Sequence, residues 1–174
     1  MDLGLLILRV LIGSLLVAHA AQKSLGWFSG PGIDGATAIF DKLGQRPARA
    51  MVLVAVACES TGGVLVLTGL ATPLGAAVCV GTMIVAGASM QRVSGSFWNA
   101  TGGGEYPYVL AVVSASIGFA GAGSYSLDRV LSSPWYNPSA TNAALIGLGV
   151  LVAAAVAATP TLLRSRTRTA AESS

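Results

Sequence analysis

The most informative residues are ionisable ones set in apolar surroundings. Arg9 interrupts the run LGLLILRVLIGSLLV and Glu59 interrupts VLVAVACESTGGVLVL. A charge at the centre of a bilayer costs about 2.5–3.5 kcal/mol on insertion scales, so such a group faces protein and takes a partner. Counted along the apolar runs, the two lie at depths that differ by roughly 5 Å, at about 1.5 Å of rise per residue. An arginine side chain can span that difference. The spacing predicts a buried Arg9–Glu59 ion pair, which either lines a polar cavity or proton path or simply fixes helix register.

A second group follows at the end of the first apolar run. His19, Gln22 and Lys23 stand at i, i+3 and i+4 and so share one helix face. Histidine at such a boundary can exchange protons near neutral pH or bond a quinone carbonyl. The same three residues also suit a boundary alone, with Lys23 snorkelling to headgroups and His19 capping a neighbouring helix. Two loops rich in glycine and aromatics accompany them, GWFSGPG at 26–32 and SFWNATGGGEYPYVL at 96–110. Glu105 suits the first turn of a helix, where the dipole favours a carboxylate. Alternatively Glu105 and Trp98 join His19, Gln22 and Lys23 around a shared polar cavity. With one histidine in the chain no metal site is expected. Cys58 and Cys79 form no CxxC pair and are expected at different depths, which argues for packing residues over thiol exchange. No phosphate-binding loop, serine triad, dinucleotide fingerprint or haem-attachment motif is present, and catalytic residues are not identifiable.

The elements that must position these groups follow from composition. The chain is 174 residues long, 53% hydrophobic and only 10% charged. Soluble domains are about 25% charged, so this deficit places the chain in a bilayer. A spanning helix needs about 20 mostly apolar residues. Five runs qualify, at 3–22, 48–71, 74–93, 106–123 and 142–163. None alternates polar and apolar residues as a barrel strand would. The predicted fold is all-α, a bundle of four transmembrane helices plus a fifth, C-terminal one. Residues 1–131 form the membrane domain, 132–163 an outer loop and the additional helix, and 164–174 a basic tail. Ala18-His19-Ala20 resembles a signal-peptide cleavage site, but Met-Asp-Leu lacks a basic start, so the first span is expected to be retained.

Lysine and arginine placement predicts orientation. With the tail of Arg164, Arg166 and Arg168 in the cytoplasm, Lys23, Lys42, Arg46, Arg49 and Arg92 also fall inside, and Arg129 alone lies outside. Basic residues at the ends of apolar runs fit this better than a nucleic-acid stripe, and no nucleic-acid partner is expected. Gly149, Ala153 and Ala157 repeat every fourth position and predict a smooth interface on the fifth helix, toward the bundle or another subunit.

Four stretches in this order resemble the DoxX family of small bacterial membrane proteins across residues 4 to 131. They are HAAQKSLGWFSGPG (19–32), ESTGGVLVLTGLATPLGAA (59–77), FWNATGGGEY (97–106) and SLDRVL (126–131). The chain departs from the family pattern with Ala20 where glycine is common and Gln91 where a second histidine is common. Any relay needing that histidine is thereby put in doubt. The fifth span is an addition to the family's usual four.

The resemblance implies an accessory subunit of a respiratory or redox-stress oxidoreductase complex in the bacterial plasma membrane. Such a subunit anchors partner proteins among the lipids and lacks catalytic activity of its own. It holds no covalent cofactor; quinone is the ligand the family suggests. Two alternatives stay open: a quinone-interacting redox subunit, as in thiosulfate:quinone oxidoreductases, and a transporter of small solutes. The absence of an evident inverted repeat weighs against the transporter. The orientation is directly testable in a background freed of the native cysteines. Ser133→Cys is expected to react with a membrane-impermeant thiol reagent added from the periplasmic side, and Ser174→Cys to be protected. Labelling of Ser174→Cys from that side overturns the assignment.

Overall fold

In the computed structural model, residues 2–136 and 138–172 are described, with side chains through residue 163. The tail arginines Arg164, Arg166 and Arg168, and Ser174, therefore lie outside the described side chains. The described residues are all helical or irregular. In order these are α1 (Asp2–Leu25), α2 (Gly32–Lys42), α3 (Ala48–Thr68), α4 (Thr72–Ser94), α5 (Glu105–Ala120), the single turn α6 (Leu127–Val130) and α7 (Ala140–Glu172). Helices α1, α3, α4 and α5 form a ring, each packed on the next and α5 closing back on α1. Helix α7 lies outside the ring on α4 and α5, and α2 lies against α1 and α3. This is an all-α, multi-pass membrane architecture.

Among the described residues four helices are long and apolar enough to cross a membrane: α1, α3, α4 and the stretch Ala140–Leu163 of α7. The remaining expected span, 106–123, is shorter than predicted. Helix α5 has 16 residues, or about 24 Å at 1.5 Å per residue, against a hydrocarbon core of about 30 Å. It stops at Gly121, whose φ of 82° and ψ of −173° leave helix. The reason lies across the bundle. Arg9 takes the carbonyls that this segment would otherwise spend on helix: Nη1 donates to the oxygens of Ala122 (2.6 Å) and Tyr125 (2.9 Å).

The predicted Arg9–Glu59 pair does not form. Arg9 is 1% exposed and solvated by backbone. Besides the two bonds above, Nε donates to Val66 (3.0 Å) and Nη2 to Leu67 (3.2 Å), both carbonyls of the last turn of α3. At this helix end the cap residue Gly69 reaches only Val66 O of the two (3.2 Å) with its backbone N–H, Arg9 supplies the further donors, and a cation suits that end of the dipole. Two geometric facts defeat the predicted pair. A Cβ on Gly13 would meet Gly63 O at 2.6 Å and Leu67 N at 2.7 Å, so the antiparallel register sets Arg9 opposite the end of α3. That is roughly 15 Å from Glu59 at about 1.5 Å per residue. Side chains also lean toward the N-terminus of their helix, which carries Arg9 away from Glu59.

A matching device caps the other half of the α3–α4 hairpin. Asp128, 1% exposed, accepts from the backbone N–H of Ala71 (2.9 Å) and Thr72 (3.0 Å) and from the Thr72 hydroxyl (2.8 Å). It supplies from α6 the N-terminal cap that α4 lacks in its own sequence. Gly69 sits between the two devices with φ +64°, and a Cβ there would run into the Arg9 guanidinium.

The small-residue stripe on α7 does not face the bundle. The buried positions are Gly147, Val150, Ala154 and Ala158, whereas Gly149, Ala153 and Ala157 are exposed. Phe119 decides the register, because its ring lies where a Cβ on Gly147 would stand. Val150 packs near Gly118, and Ala154 near Gly81.

Arg9→Met keeps most of the volume and removes the donors, leaving the Leu67, Ala122 and Tyr125 carbonyls without this partner and Val66 O with Gly69 N alone. It is expected to lower stability by about 3 kcal/mol or more, against about 0.5 kcal/mol for Arg129→Ala on the exposed surface. Thermal unfolding in mild detergent measures the difference, and similar shifts for both variants would refute the capping role.

Candidate functional site

Glu59 is 3% exposed on α3, and its partner is Lys23. The Lys23 ammonium donates to both carboxylate oxygens, at 2.8 Å and 2.7 Å. The N-terminal lean that takes Arg9 away from Glu59 brings Lys23 toward it, from the end of α1 back into the bundle. An ammonium has three donors, so this geometry leaves the third N–H for the space beside it. The Lys23 side chain is 21% exposed and its partner 4%, so the pair sits at a boundary between protein and open volume.

That volume is a cavity of about 450 Å³. Its wall carries His19 and Lys23 from α1, Glu59 and Cys58 from α3, Ser89 from α4 and Tyr106 from α5. His19 bridges α1 and α5. Its Nδ1 lies 3.0 Å from Gln22 Oε1, and its Nε2 lies 3.2 Å from Tyr106 Oη, with the rings edge to face. Because an amide oxygen only accepts, Nδ1 donates; in the neutral ring Nε2 then accepts from the tyrosine hydroxyl. An imidazolium would donate at both positions and free the hydroxyl proton for another acceptor.

The predicted cavity group is therefore brought together only in part. His19 and Lys23 line the cavity; Gln22 orients His19 from beside it. Glu105 does not reach them. Its Oε2 accepts from Asn99 N at 3.0 Å, tying down its own loop. Trp98 is 63% exposed and packs edge to face on Phe97. One position along the helix, Tyr106 takes the role assigned to Glu105.

Sequence reasoning also missed Gln45 and Ser89, which meet at 2.7 Å with both residues buried. This bond ties the end of the α2 segment to α4 beside the cavity. Helix α2 lies between the first two predicted spans, where Ile33, Ala36, Phe40 and Leu43 carry a helical spacing. The boundary reading of residues 19–32 agrees with the structure. Helix α1 ends at Leu25, and a turn follows with positive φ at Gly26, Phe28 and Ser29. Gly30 then lies against Gln22, where a Cβ would stand 2.5 Å from its Cα. Both cysteines are free; Cys79 is buried and Cys58 is half-buried.

Among the described residues no three His, Cys, Asp or Glu side chains converge. The donors that face the cavity suit a neutral oxygen acceptor. Elsewhere its walls are mostly apolar, with Gln45, Thr82, Ser89 and Thr161 interspersed, as in sites for small lipophilic molecules.

The family model described as DoxX matches residues 4–92. That span contains Arg9, His19, Lys23, Glu59 and Ser89, and it ends before Tyr106 and Asp128, short of the resemblance traced to residue 131. A Bacillus subtilis (strain 168) protein named "Putative oxidoreductase CatD" is 29% identical over 127 residues, covering 73% of this chain and 86% of the relative. No solved structure matches the chain.

The ion pair yields a test by double-mutant cycle. Lys23→Met and Glu59→Gln each remove one partner, and the double variant removes both. Because Lys23 is partly exposed, a coupling of about 1–3 kcal/mol is expected, with the double variant more stable than the sum of the single losses predicts. Strictly additive losses in thermal unfolding would exclude the pairing.

Proposed function

The chain belongs to the DoxX family, and from that premise we propose that it is a membrane subunit of an oxidoreductase system that holds a quinone-type carrier in its cavity. In this reading it sits in the bacterial plasma membrane with its N-terminus outside, and partner proteins supply or withdraw the electrons. The observation that carries the proposal is the meeting of Lys23–Glu59 and His19–Tyr106 on one largely apolar cavity of about 450 Å³. The oxidoreductase name of the Bacillus subtilis relative supports the redox setting.

The chain's own residues would act as follows. Lys23 keeps two donors on Glu59 and offers the third to a carbonyl oxygen of the head. Glu59 holds the ammonium at that position and offsets its charge. Tyr106 donates to the head when His19 is protonated and to His19 when it is not, so head contact and proton occupancy are linked. The aliphatic walls exclude water and take the ring. Quinone, once bound, supplies the reversible two-electron chemistry.

Purification in mild detergent tests this. Extracted wild-type protein is expected to retain a quinone approaching one per chain. His19→Ala and Tyr106→Phe are expected to retain several-fold less while remaining folded, and Arg129→Ala to retain as much as wild type. A stable multi-protein assembly whose chain holds no quinone would leave an anchoring role and reject the carrier site.

A further inference from the structure

Resting on that reading, we infer that the cavity opens sideways into the bilayer, through a portal between α2 and α7, and that the ligand's isoprenoid tail leaves by this route. The lining residues establish the path. His19 and Tyr106 belong to the ring helices α1 and α5, whereas Ile39 and Phe40 of α2 and Ala157 and Thr161 of α7 lie outside the ring. One continuous cavity touches both sets, so it passes between α3 and α4. Helix α7 packs on α4 and α5 and makes no extended contact with α3 or α2 among the described residues. A gap is thus left on the bilayer-facing side of the α3–α4 pair.

Side-chain size and exposure agree. At the closed end of the hairpin the helices touch closely: a Cβ on Gly62 would lie 2.9 Å from Cys79 Sγ, and one on Gly75 2.8 Å from Leu65 Cβ. Farther along the same two helices, Ala55, Gly81 and Ala86 line the cavity instead. At its outer edge Ile39 is 47% and Val54 52% exposed. These are apolar groups at a mouth, where a water-filled entrance would favour polar ones. A volume of about 450 Å³ lies near the small end of small-molecule sites. It accommodates a ring and the start of its tail and leaves a longer isoprenoid chain to run out among the lipid tails. The site therefore suits a tailed carrier whose head is inside and whose tail remains in the membrane.

Ala157 offers a direct test, because it lines the portal from an exposed position on α7 and can be enlarged without displacing packed core. The probes are decyl-ubiquinone, which has a tail, and duroquinone, which has none; affinities come from the ligand-induced rise in Tm in detergent. Ala157→Trp is expected to weaken decyl-ubiquinone at least tenfold and to change duroquinone less than threefold. Leu148→Trp, exposed on α7 away from the cavity, is expected to change neither and controls for a bulky residue on that helix. Unchanged affinity for both probes in Ala157→Trp overturns the portal and leaves the groove to bilayer lipid. Equal loss of both also overturns it, since the groove would then be part of the head site. If wild type binds duroquinone but discriminates nothing at residue 157, only the portal fails. If wild type binds neither probe, the carrier site and the portal fail together.

Discussion

A charge inside an apolar bundle has no bulk water to solvate it, so the protein must supply every hydrogen bond it needs. Three side chains meet this requirement in three ways. Arg9 is solvated by carbonyls, Asp128 by amides and a hydroxyl, and Glu59 by the Lys23 ammonium. The first two also complete the termini of α3 and α4, whose end groups would otherwise stand unpaired. A single requirement thus decides where the α3–α4 hairpin turns, where α5 stops and why α6 exists. The turn α6 is four residues long, and its role is to present Asp128.

The two ends of the bundle consequently differ. Near Arg9 the ends of α3 and α4 are joined through charged caps, and small residues bring α1, α3 and α4 to backbone contact at Gly13, Gly62 and Gly63. Close approach of this kind is how apolar helices gain dispersion energy in a bilayer, where there is little hydrophobic drive to associate. Near Lys23 no such closure exists. The Glu59 carboxylate needs a cation beside it, and the flexible lysine that provides one lies at the helix end, next to open volume. Helix α2, held by the Gln45–Ser89 bond, covers that side without filling it. Rigidity at one end and a cavity at the other are two results of where the charges lie.

The sequence made the spans visible because hydropathy and the Gly and Pro breaks are local properties. It also showed that residues 19–32 end a helix. Partner choice depends on register and side-chain direction, which are not local. Arg9 and Glu59 were each correctly marked as buried, yet their partners depended on the Gly13–Gly63 crossing and on the lean of side chains along α1. On α7 two stripes interleave, with Ala154 and Ala158 beside Ala153 and Ala157, and composition alone cannot choose between them. The choice is made by Phe119, on another helix. Tyr106 was passed over for Glu105 because a carboxylate carries the stronger chemical signal. The carboxylate had a nearer use at Asn99 N, and the tyrosine hydroxyl faced the histidine.

The electrostatics of the open end bear on what kind of molecule suits it. Lys23 and Glu59 are within 2.8 Å of each other, so their fields largely cancel a short distance away. An anionic head approaching Lys23 would compete with Glu59 in a low-dielectric site, and a cationic head approaching Glu59 would compete with Lys23. Either exchange strands a buried charge, at a cost of several kcal/mol. A neutral head with a carbonyl needs neither exchange, since it accepts the one ammonium N–H that Glu59 leaves over. In the proposed role the pair would discriminate by being already satisfied.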